Sequence, residues 1–332
     1  MQIDFVVPWV DGNDPIWRKK KEAYIPSSDQ DKMDIGEERY RDWGIFKYWF
    51  RSVEKNAPWV RYIYLITDNQ IPSFLKTDHP KLRIIFHEDY IPRQYLPTFS
   101  SHVIELNMHR LPGLSEYFIY FNDDIFLNKP VNPSFFFRKN KPCYTFRERP
   151  LVLNYPLSFG VHITINNMAL INNFFNRKSI IRHPELYFNF RYGRHSFGNL
   201  CMLPFPYYFH FLDDHMACPM LRPTLEDVWN KAGDVLDTTC NHRIRTNDDV
   251  NQYVFRYWDL ARGNFSPHYA PSGYYNYGSD EEIKESVKDI AVGVHTQICI
   301  NDSYRIKDFE ALRQEISTAF AQRYPTKCSF EI

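Results

Sequence analysis

The first 130 residues of the chain alternate apolar runs of strand length with amphipathic segments, and this alternation restricts the folds that the chain can adopt. The apolar runs are residues 3–10 (IDFVVPWV), 61–67 (RYIYLIT), 82–86 (LRIIF) and 117–121 (YFIYF). Residues 46–57 and 100–111 place apolar side chains at spacings of three and four, which predicts amphipathic helices. Strands that alternate with helices in this way indicate an α/β fold with a mainly parallel sheet.

The pattern becomes irregular after residue 130. Residues 130–212 are rich in Pro, Asn and aromatic residues, so we interpret them as an insertion or lid within a single domain of residues 1–332. Apolar spacing predicts helices over 164–177, 248–262 and 308–320, and a strand over 290–300 that ends in Asn301 and Asp302.

The composition excludes several classes of protein. Aromatic residues make up 17% of the 332 residues, which excludes a disordered or collagen-like chain. Lys and Arg number 40 and so do Asp and Glu, and this lack of net charge argues against nucleic acid as a partner. Six scattered Cys, no signal-peptide pattern and no apolar run near the roughly 18–20 residues of a membrane helix predict a cytoplasmic chain with reduced thiols.

Several common enzyme motifs are absent from the sequence. There is no GxxxxGKS/T loop, no GxGxxG after a predicted strand, no HExxH and no GxSxG. Their absence argues against a P-loop enzyme, a dinucleotide-binding enzyme, a zincin and a serine hydrolase.

Acidic residues follow three of the predicted strands. They occur in Asp11-Gly12-Asn13-Asp14, in Asn122-Asp123-Asp124 and in Asn301-Asp302. Ligands of open parallel sheets bind beyond the carboxyl ends of the strands, and carboxylates there can hold a divalent cation that bridges to phosphate oxygens. The alternative is a solvated turn, because Asp and Asn are common turn residues, and for the first segment the alternative is hydrogen bonding within the turn itself.

Arginine and histidine side chains supply the other candidate groups. Arg is a planar, permanently charged donor that suits a diphosphate, and the candidates are Arg39, Arg41, Arg51, Arg243 and Arg245. In an extended segment, Arg243 and Arg245 would lie on one face. His215 follows Asp213 and Asp214, either of which could orient it as a general base. A purely structural hydrogen-bonding role for His215 is the alternative.

Four blocks of this sequence resemble the conserved regions of the Stealth proteins. Residues 3–15 (IDFVVPWVDGNDP) are similar to the first region, and residues 39–131, with RYRDW and HRLPGLSEYFIYFNDD, to the second. Residues 215–265, with HRIRTNDDVNQYVFRYWDL, are similar to the third region, and residues 298–302 (ICIND) to the fourth. The blocks occur in the family's order and span nearly the whole chain.

The resemblance implies a fold and a reaction. The family resembles sugar-1-phosphate transferases, which include bacterial capsule and cell-surface polysaccharide enzymes and the animal enzyme that adds GlcNAc-phosphate to lysosomal glycoproteins. It implies a Rossmann-like core similar to the glycosyltransferase-A fold, a UDP-sugar donor, a glycan acceptor and Mg²⁺ or Mn²⁺. The product would be a phosphodiester, with release of UMP, and residues 130–212 would shape the acceptor site.

The chain is most similar to the bacterial branch of the family. This implies a location in the cytoplasm or at the inner face of the cell membrane, with peripheral association with the membrane polysaccharide machinery. Two other functions stay open: a metal-dependent glycosyltransferase that releases UDP, and a carbohydrate-binding module without turnover.

The resemblance also assigns roles residue by residue. Asp124 and Asp302 are expected to bind the metal, and Asp123, His215 and Arg245 to be catalytic. Asp11, Arg39, Asp42 and Asn301 fall on motif positions and are expected to bind substrate, to which the charge pattern adds Arg243. The chain departs from many members of the family at Trp43-Gly44-Ile45-Phe46-Lys47, so no role is carried over to that stretch.

Overall fold

The computed structural model describes residues 1–25, 33, 36, 40–177, 180 and 182–332. The strands are β1 (Ile3–Pro8), β2 (Ile63–Thr67), β3 (Leu82–Phe86), β4 (Tyr117–Tyr120), β5 (Ile125–Leu127), β6 (Phe137–Arg138), β7 (Lys141–Tyr144), β8 (Cys218–Leu221), β9 (Ser266–Pro267), β10 (Gly273–Tyr275) and β11 (Gln297–Ile300). The helices are α1 (Pro15–Glu22), α2 (Phe46–Asn56), α3 (His87–Tyr90), α4 (Ser101–Leu106), α5 (Pro133–Phe136), α6 (Phe159–Phe174), α7 (Pro184–Tyr187), α8 (His195–Cys201), α9 (Arg222–Cys240), α10 (Tyr253–Arg262), α11 (Asp280–Val292) and α12 (Phe309–Arg323).

A five-stranded sheet with the order β3-β2-β1-β4-β8 forms the centre of the fold. β1 to β4 are mutually parallel, and β8 is antiparallel to β4 at one edge. This confirms the α/β class with a mainly parallel sheet. Two three-stranded sheets, β10-β11-β5 and β6-β7-β9, complete the strand pairing that the structure describes.

Helices cover both faces of the central sheet because successive side chains of a strand point to opposite faces. Phe5 and Val7 of β1 belong to a buried cluster with α2 and α12, whereas Val6 belongs to a second cluster with α4, α9 and α10. The parallel strands thus have apolar side chains on both faces, as their sequence predicts. None of the described helices combines the length and the apolar character that crossing a membrane would require.

Two sequence predictions need correction. The strand predicted over 290–300 is wrong in its first half, because α11 continues to Val292 and ends at Gly293, which has φ +70°. The helix predicted over 100–111 stops at Leu106, where the side chain of Asn107 donates to the Val103 carbonyl oxygen at 2.9 Å and a 3-10 turn follows. α9 was not predicted, although its buried residues show helical spacing: Leu225, Val228, Ala232 and Leu236.

The segment 130–212 packs on the rest of the chain. Its buried side chains Tyr144, Phe146, Ile171 and Tyr187 lie in the same cluster as Phe118 of β4. β7 pairs in parallel with β9, which lies well beyond the segment in sequence. The interpretation of this segment as an insertion or lid in one catalytic domain stays a prediction.

The turn after β1 is held by its own side chains. Asp11 Oδ1 accepts from the Asn13 amide at 2.8 Å, and Asp14 Oδ1 caps α1 by accepting from the Ile16 amide at 2.8 Å. The backbone of Tyr40 crosses directly over Gly12, where an added Cβ would lie 1.9 Å from the Tyr40 carbonyl oxygen. Only glycine allows this close approach.

We expect Gly12→Ala to lower the free energy of unfolding by roughly 2 kcal/mol, because the new methyl group must push the Tyr40 backbone away. Gly160→Ala is the matched control, since a Cβ there meets nothing within 4 Å. That change in α6 should leave the stability unchanged or raise it slightly. Chemical denaturation measures both variants, and equal stabilities would contradict the close approach.

Candidate active site

A cavity of about 280 Å³ lies beyond the carboxyl ends of β1, β4 and β11. Its wall includes residues from the carboxyl ends of these three strands and from segments distant in sequence. The sequence-predicted residues in this wall are Arg41, Asp42, Asp123, Asp124, His215, Arg245, Asn301 and Asp302. The fold therefore brings together side chains from the second, third and fourth blocks.

Other candidates lie elsewhere. Arg243 does not line the cavity with Arg245, because its guanidinium donates to the Gln94 carbonyl oxygen at 2.8 Å. Arg51 binds both carboxylate oxygens of Glu331 at 2.7 Å, which is a structural role. Asp11 is outside the wall and bonds within its own turn. Substrate binding by Asp11 and Arg243 stays a prediction, and Arg39 lies outside the described residues.

Asp123 and Asp124 place two neighbouring carboxylates in the cavity wall. Burial, with further contributions from Asp124 and Asp42, raises the pKa of Asp123 to about 8. Burial likewise raises the pKa of Asp124, although the nearby His215 opposes this. Asp124 Oδ1 is shielded from solvent and has no hydrogen-bond partner among the described residues. Burial therefore disfavours the charged form of both carboxyl groups unless a cation lies close to them.

The donor set around Asp124 fits a divalent cation. Atoms of Asp124, His215 and Cys299 that could bind a metal lie within 4.8 Å of one another. A cation beside Asp124 would satisfy its unpartnered oxygen and offset the repulsion with Asp123. Burial raises the pKa of the Cys299 thiol well above its usual range, and the thiol donates to Asp124 Oδ2 at 3.4 Å. A protonated thiol is a poor ligand, so the carboxylate is the principal one.

Asp302 has a partner that the sequence did not indicate. The Arg41 guanidinium donates two hydrogen bonds to the Asp302 carboxylate, one of them from Nε to Oδ2 at 2.9 Å. The Ser303 amide also donates to Asp302 Oδ1, at 2.6 Å. Arg41 was a candidate for phosphate binding, and in the structure it joins the segment before α2 to the end of β11. Metal binding by Asp302 stays a prediction.

His215 is held by Tyr253 and Asn122. Its Nδ1 lies 2.9 Å from Tyr253 Oη, and its Nε2 lies 3.3 Å from Asn122 Nδ2. With the amide in this orientation, Nδ2 donates to Nε2, so the ring proton is on Nδ1 and points to Tyr253. The backbone of His215 adopts φ +48°, a left-handed conformation that turns the ring out of the preceding extended segment.

The expected orientation of His215 by a neighbouring acid is wrong. Asp213 instead pairs with Arg256 at 2.7 Å and accepts from the Tyr257 hydroxyl, and Asp214 pairs with Arg147. Asp213 therefore links this segment to α10, and Asp214 links it to the insertion. Tyr253, the group that does contact the imidazole, lies on α10, and no local sequence signal marks it.

A second histidine, His102, lines the cavity next to Ser101, whose hydroxyl accepts from Arg245 at 2.8 Å. His102 Nδ1 lies 2.9 Å from the buried carboxylate of Asp249, which also binds His242 Nδ1 at 2.6 Å. Burial alone would raise the pKa of Asp249, but hydrogen bonds from these two histidines and the Thr246 amide lower it to about 2. This network ties α4, and with it the Arg245 contact, to the segment before α10.

Two family descriptions match the chain: Stealth protein CR1, conserved region 1, over residues 1–29, and Stealth protein CR2, conserved region 2, over residues 39–144. The capsular polysaccharide phosphotransferase WcwK of Streptococcus pneumoniae is 39% identical over 99% of this chain and 98% of its own length. The chain belongs to the Stealth family.

Other relatives of this Stealth protein carry similar names. The exopolysaccharide phosphotransferase cps2G of Lactiplantibacillus plantarum is 40% identical, over 99% of this chain and 96% of its own length. The receptor polysaccharide phosphotransferase WefC of Streptococcus gordonii is 38% identical over 100% and 99%. Among solved structures, the galactosyltransferase LgtC with donor and acceptor sugar analogues matches over 98% of both chains at 10% identity and a TM-score of 0.42.

We expect Asp249→Asn to lower the free energy of unfolding by about 3 kcal/mol, because it removes the buried charge that two histidines bind. The control is Asp248→Asn, which changes the same group on the exposed neighbouring residue and should cost less than about 0.5 kcal/mol. Urea unfolding of the two variants checks the difference. A loss of equal size in both would show that the network contributes no stability.

Proposed function

We propose that this Stealth protein is a hexose-1-phosphate transferase of capsule or exopolysaccharide synthesis, which transfers a sugar 1-phosphate from a UDP-sugar to a sugar hydroxyl. The observation that carries the proposal is the single cavity that contains Asp123 and Asp124 with His215, Arg245 and Asp302. The relatives named as capsular and exopolysaccharide phosphotransferases support it.

In the proposed reaction, the acceptor oxygen attacks the β-phosphorus of the UDP-sugar, which is the phosphorus that bears the sugar. A new P–O bond forms there, and the bond to the oxygen that bridges the two phosphates breaks. UMP leaves with that bonding electron pair, and the acceptor proton passes to His215. The sugar keeps its phosphate, so the product is a phosphodiester between two sugars.

His215 is placed to accept this proton at Nε2. Among the described residues, that lone pair takes one long hydrogen bond of 3.3 Å from Asn122, which an acceptor hydroxyl would replace. The Nδ1 proton is held by Tyr253, and this keeps the ring orientation and tautomer suited to a base. His215 therefore acts as the general base, and Tyr253 as its positioning residue.

The charged groups of the wall divide the remaining tasks. Mg²⁺ or Mn²⁺, held by Asp124 with Asp302, would neutralise phosphate charge as it develops. Arg245, whose guanidinium donates to Ser101, binds the diphosphate, while Asp123 and Asp42 position the donor sugar. Asn301 binds donor or acceptor hydroxyls beside Asp302.

We assign binding of the acceptor sugar to the insertion, residues 130–212. The Arg147–Asp214 ion pair connects residues 130–212 to the segment that carries His215, and this connection supports the assignment. Its aromatic side chains suit stacking on sugar rings. We place this reaction in the cytoplasm or at the inner face of the cell membrane, with peripheral association with the polysaccharide machinery.

We expect incubation with a panel of UDP-sugars, glycan acceptors and Mg²⁺ or Mn²⁺ to release UMP. Asp124→Asn should lower the rate by at least about 100-fold, because it removes the principal cation ligand, and chelation with EDTA should have the same effect. Nucleotide chromatography separates UMP from UDP.

The matched control is Asp78→Asn, which alters an exposed carboxylate away from the cavity and should retain full activity. Release of UDP would identify an ordinary glycosyltransferase instead. Glycan binding without nucleotide release from any donor would identify a carbohydrate-binding module. Full activity of Asp124→Asn would show that Asp124 is not a required ligand of the metal.

Tyr253→Phe should lower kcat by about tenfold, with a smaller change in KM. This loss is a fraction of the rate enhancement of about 10²- to 10⁴-fold that a general base contributes. The cause is the lost hydrogen bond at His215 Nδ1. Tyr24→Phe removes an exposed hydroxyl and serves as the control. An unchanged kcat in Tyr253→Phe would show that the imidazole needs no orientation by Tyr253.

A further inference from the structure

Exposed apolar side chains are concentrated in two stretches of the insertion, residues 149–158 and 190–209. Among the described residues, half of the large apolar side chains that are exposed lie in these two stretches. Tyr155, Phe190 and Phe197 are 98%, 82% and 71% exposed. A concentration of exposed apolar side chains on a protein surface is typical of an interaction site. We call the exposed side chains of the two stretches the apolar–basic surface.

The two stretches are neighbours in space. Glu148 and Phe211 form a β-bridge, and the amide of Arg149 donates to the His210 carbonyl oxygen at 3.1 Å. The stretch 149–158 begins directly after Glu148, and the stretch 190–209 ends just before Phe211. The buried carboxylate of Glu148 fixes the base of the ladder by accepting from Arg177 and from the Phe209 amide. The exposed side chains on both stretches thus start from one anchored point.

Hydrogen bonds of helix α8 fix the exposure of its apolar side chains. Its one buried side chain is the polar Asn199, whose Nδ2 donates to the carbonyl oxygens of Phe146 and Tyr187, each at 3.0 Å. The apolar Phe197 and Leu200, on the same helix, face outward. A helix at a protein–water surface has the opposite arrangement, with its apolar stripe inward. The hydrogen bonds of Asn199 therefore hold an apolar helix face toward the exterior.

Positive charge accompanies the apolar side chains. Residues 149–212 contain six Lys and Arg but a single acid, Glu185, in a chain with 40 of each sign. Arg149, Arg182, Arg191 and Arg194 are exposed, and the Arg191 guanidinium lies 4.9 Å from the centre of the Phe190 ring. Exposed aromatic and Leu side chains with Arg beside them are typical of segments that lie in the interface of an anionic bilayer.

We propose that the apolar–basic surface docks onto an anionic lipid bilayer, with Phe190, Phe197 and Leu200 in the headgroup region and Arg191 and Arg194 near lipid phosphates. Charge complementarity favours this occupant over a second copy of the chain, which would set the same arginines against each other. The ladder ends at Leu212, three residues before His215, so docking keeps the cavity close to the bilayer. The proposal rests on the membrane location given under the proposed function and assigns it to a surface, whereas binding to vesicles can be measured without the reaction in the cavity.

Co-sedimentation of the full chain with lipid vesicles tests this. We expect binding to phosphatidylcholine vesicles that contain about one third phosphatidylglycerol and much weaker binding to phosphatidylcholine alone. An increase in salt from about 0.1 M to about 0.5 M should weaken the binding to anionic vesicles. Equal binding to both vesicle types, or no binding to either, would overturn the proposal.

Two sets of variants separate the apolar and the charged contributions. Phe190→Ser with Phe197→Ser and Leu200→Ser should lower the partition coefficient by about tenfold or more on anionic vesicles. Arg191→Gln with Arg194→Gln should reduce the preference for anionic over neutral vesicles by about tenfold. The control is Ile16→Ser with Val292→Ser, which removes similarly exposed apolar side chains elsewhere and should bind as the native chain does.

Circular dichroism and size-exclusion chromatography with light scattering complete the test. All variants should melt cooperatively, because every changed side chain is exposed in the structure. If the apolar variant converts a dimer of the native chain into a monomer, the surface is an interface between copies and the proposal is overturned. If the control variant loses vesicle binding to the same degree, the contact with lipid is not specific to this surface.

Discussion

The adjacent carboxylates of Asp123 and Asp124 are the electrostatic constraint on which the site depends. Both residues follow β4, at the carboxyl end of the parallel strands of the central sheet, and burial there raises the pKa of both carboxyl groups. Two such groups repel each other unless a positive charge is close. The surrounding residues fit this requirement, since His215 approaches Asp124, and Asp124 Oδ1 has no hydrogen-bond partner in the part of the chain that the structure describes.

The cavity is assembled by contacts between segments that are far apart in sequence. Arg41 and Asp302 are separated by 261 residues, and their ion pair brings the segment before α2 against the end of β11. The close approach of Tyr40 to Gly12 brings the same segment against the turn after β1. The three strand ends therefore share a cavity because one short segment, residues 40–45, contacts two of them. This explains why residues of several conserved blocks are needed for one site.

The sequence predicted the sheet and the acidic strand ends because both depend on local pattern. Apolar runs such as 82–86 match the observed strand, and Asn122-Asp123-Asp124 follows β4 as expected. Tyr253, Cys299 and the Arg41 ion pair could not be predicted, because no local pattern reports which distant side chain will face His215, Asp124 or Asp302. The error at 290–300 has another cause: Ile, Ala and Val suit a strand as well as the last turn of α11.

The absence of net charge conceals a separation of charge within the molecule. The cavity collects Asp42, Asp123, Asp124 and Asp302, whereas the segment 149–212 carries a strong excess of arginine with its exposed aromatic rings. A sum over the whole chain argues against a uniformly basic protein, but it does not report these two opposed regions. They differ in purpose, since an acidic cavity requires a cation and an apolar, basic surface requires an anionic, partly apolar partner. Leu212 at the base of that surface precedes His215 by three residues, so the two regions are joined by a short connection, and docking of one would hold the other close to the bilayer.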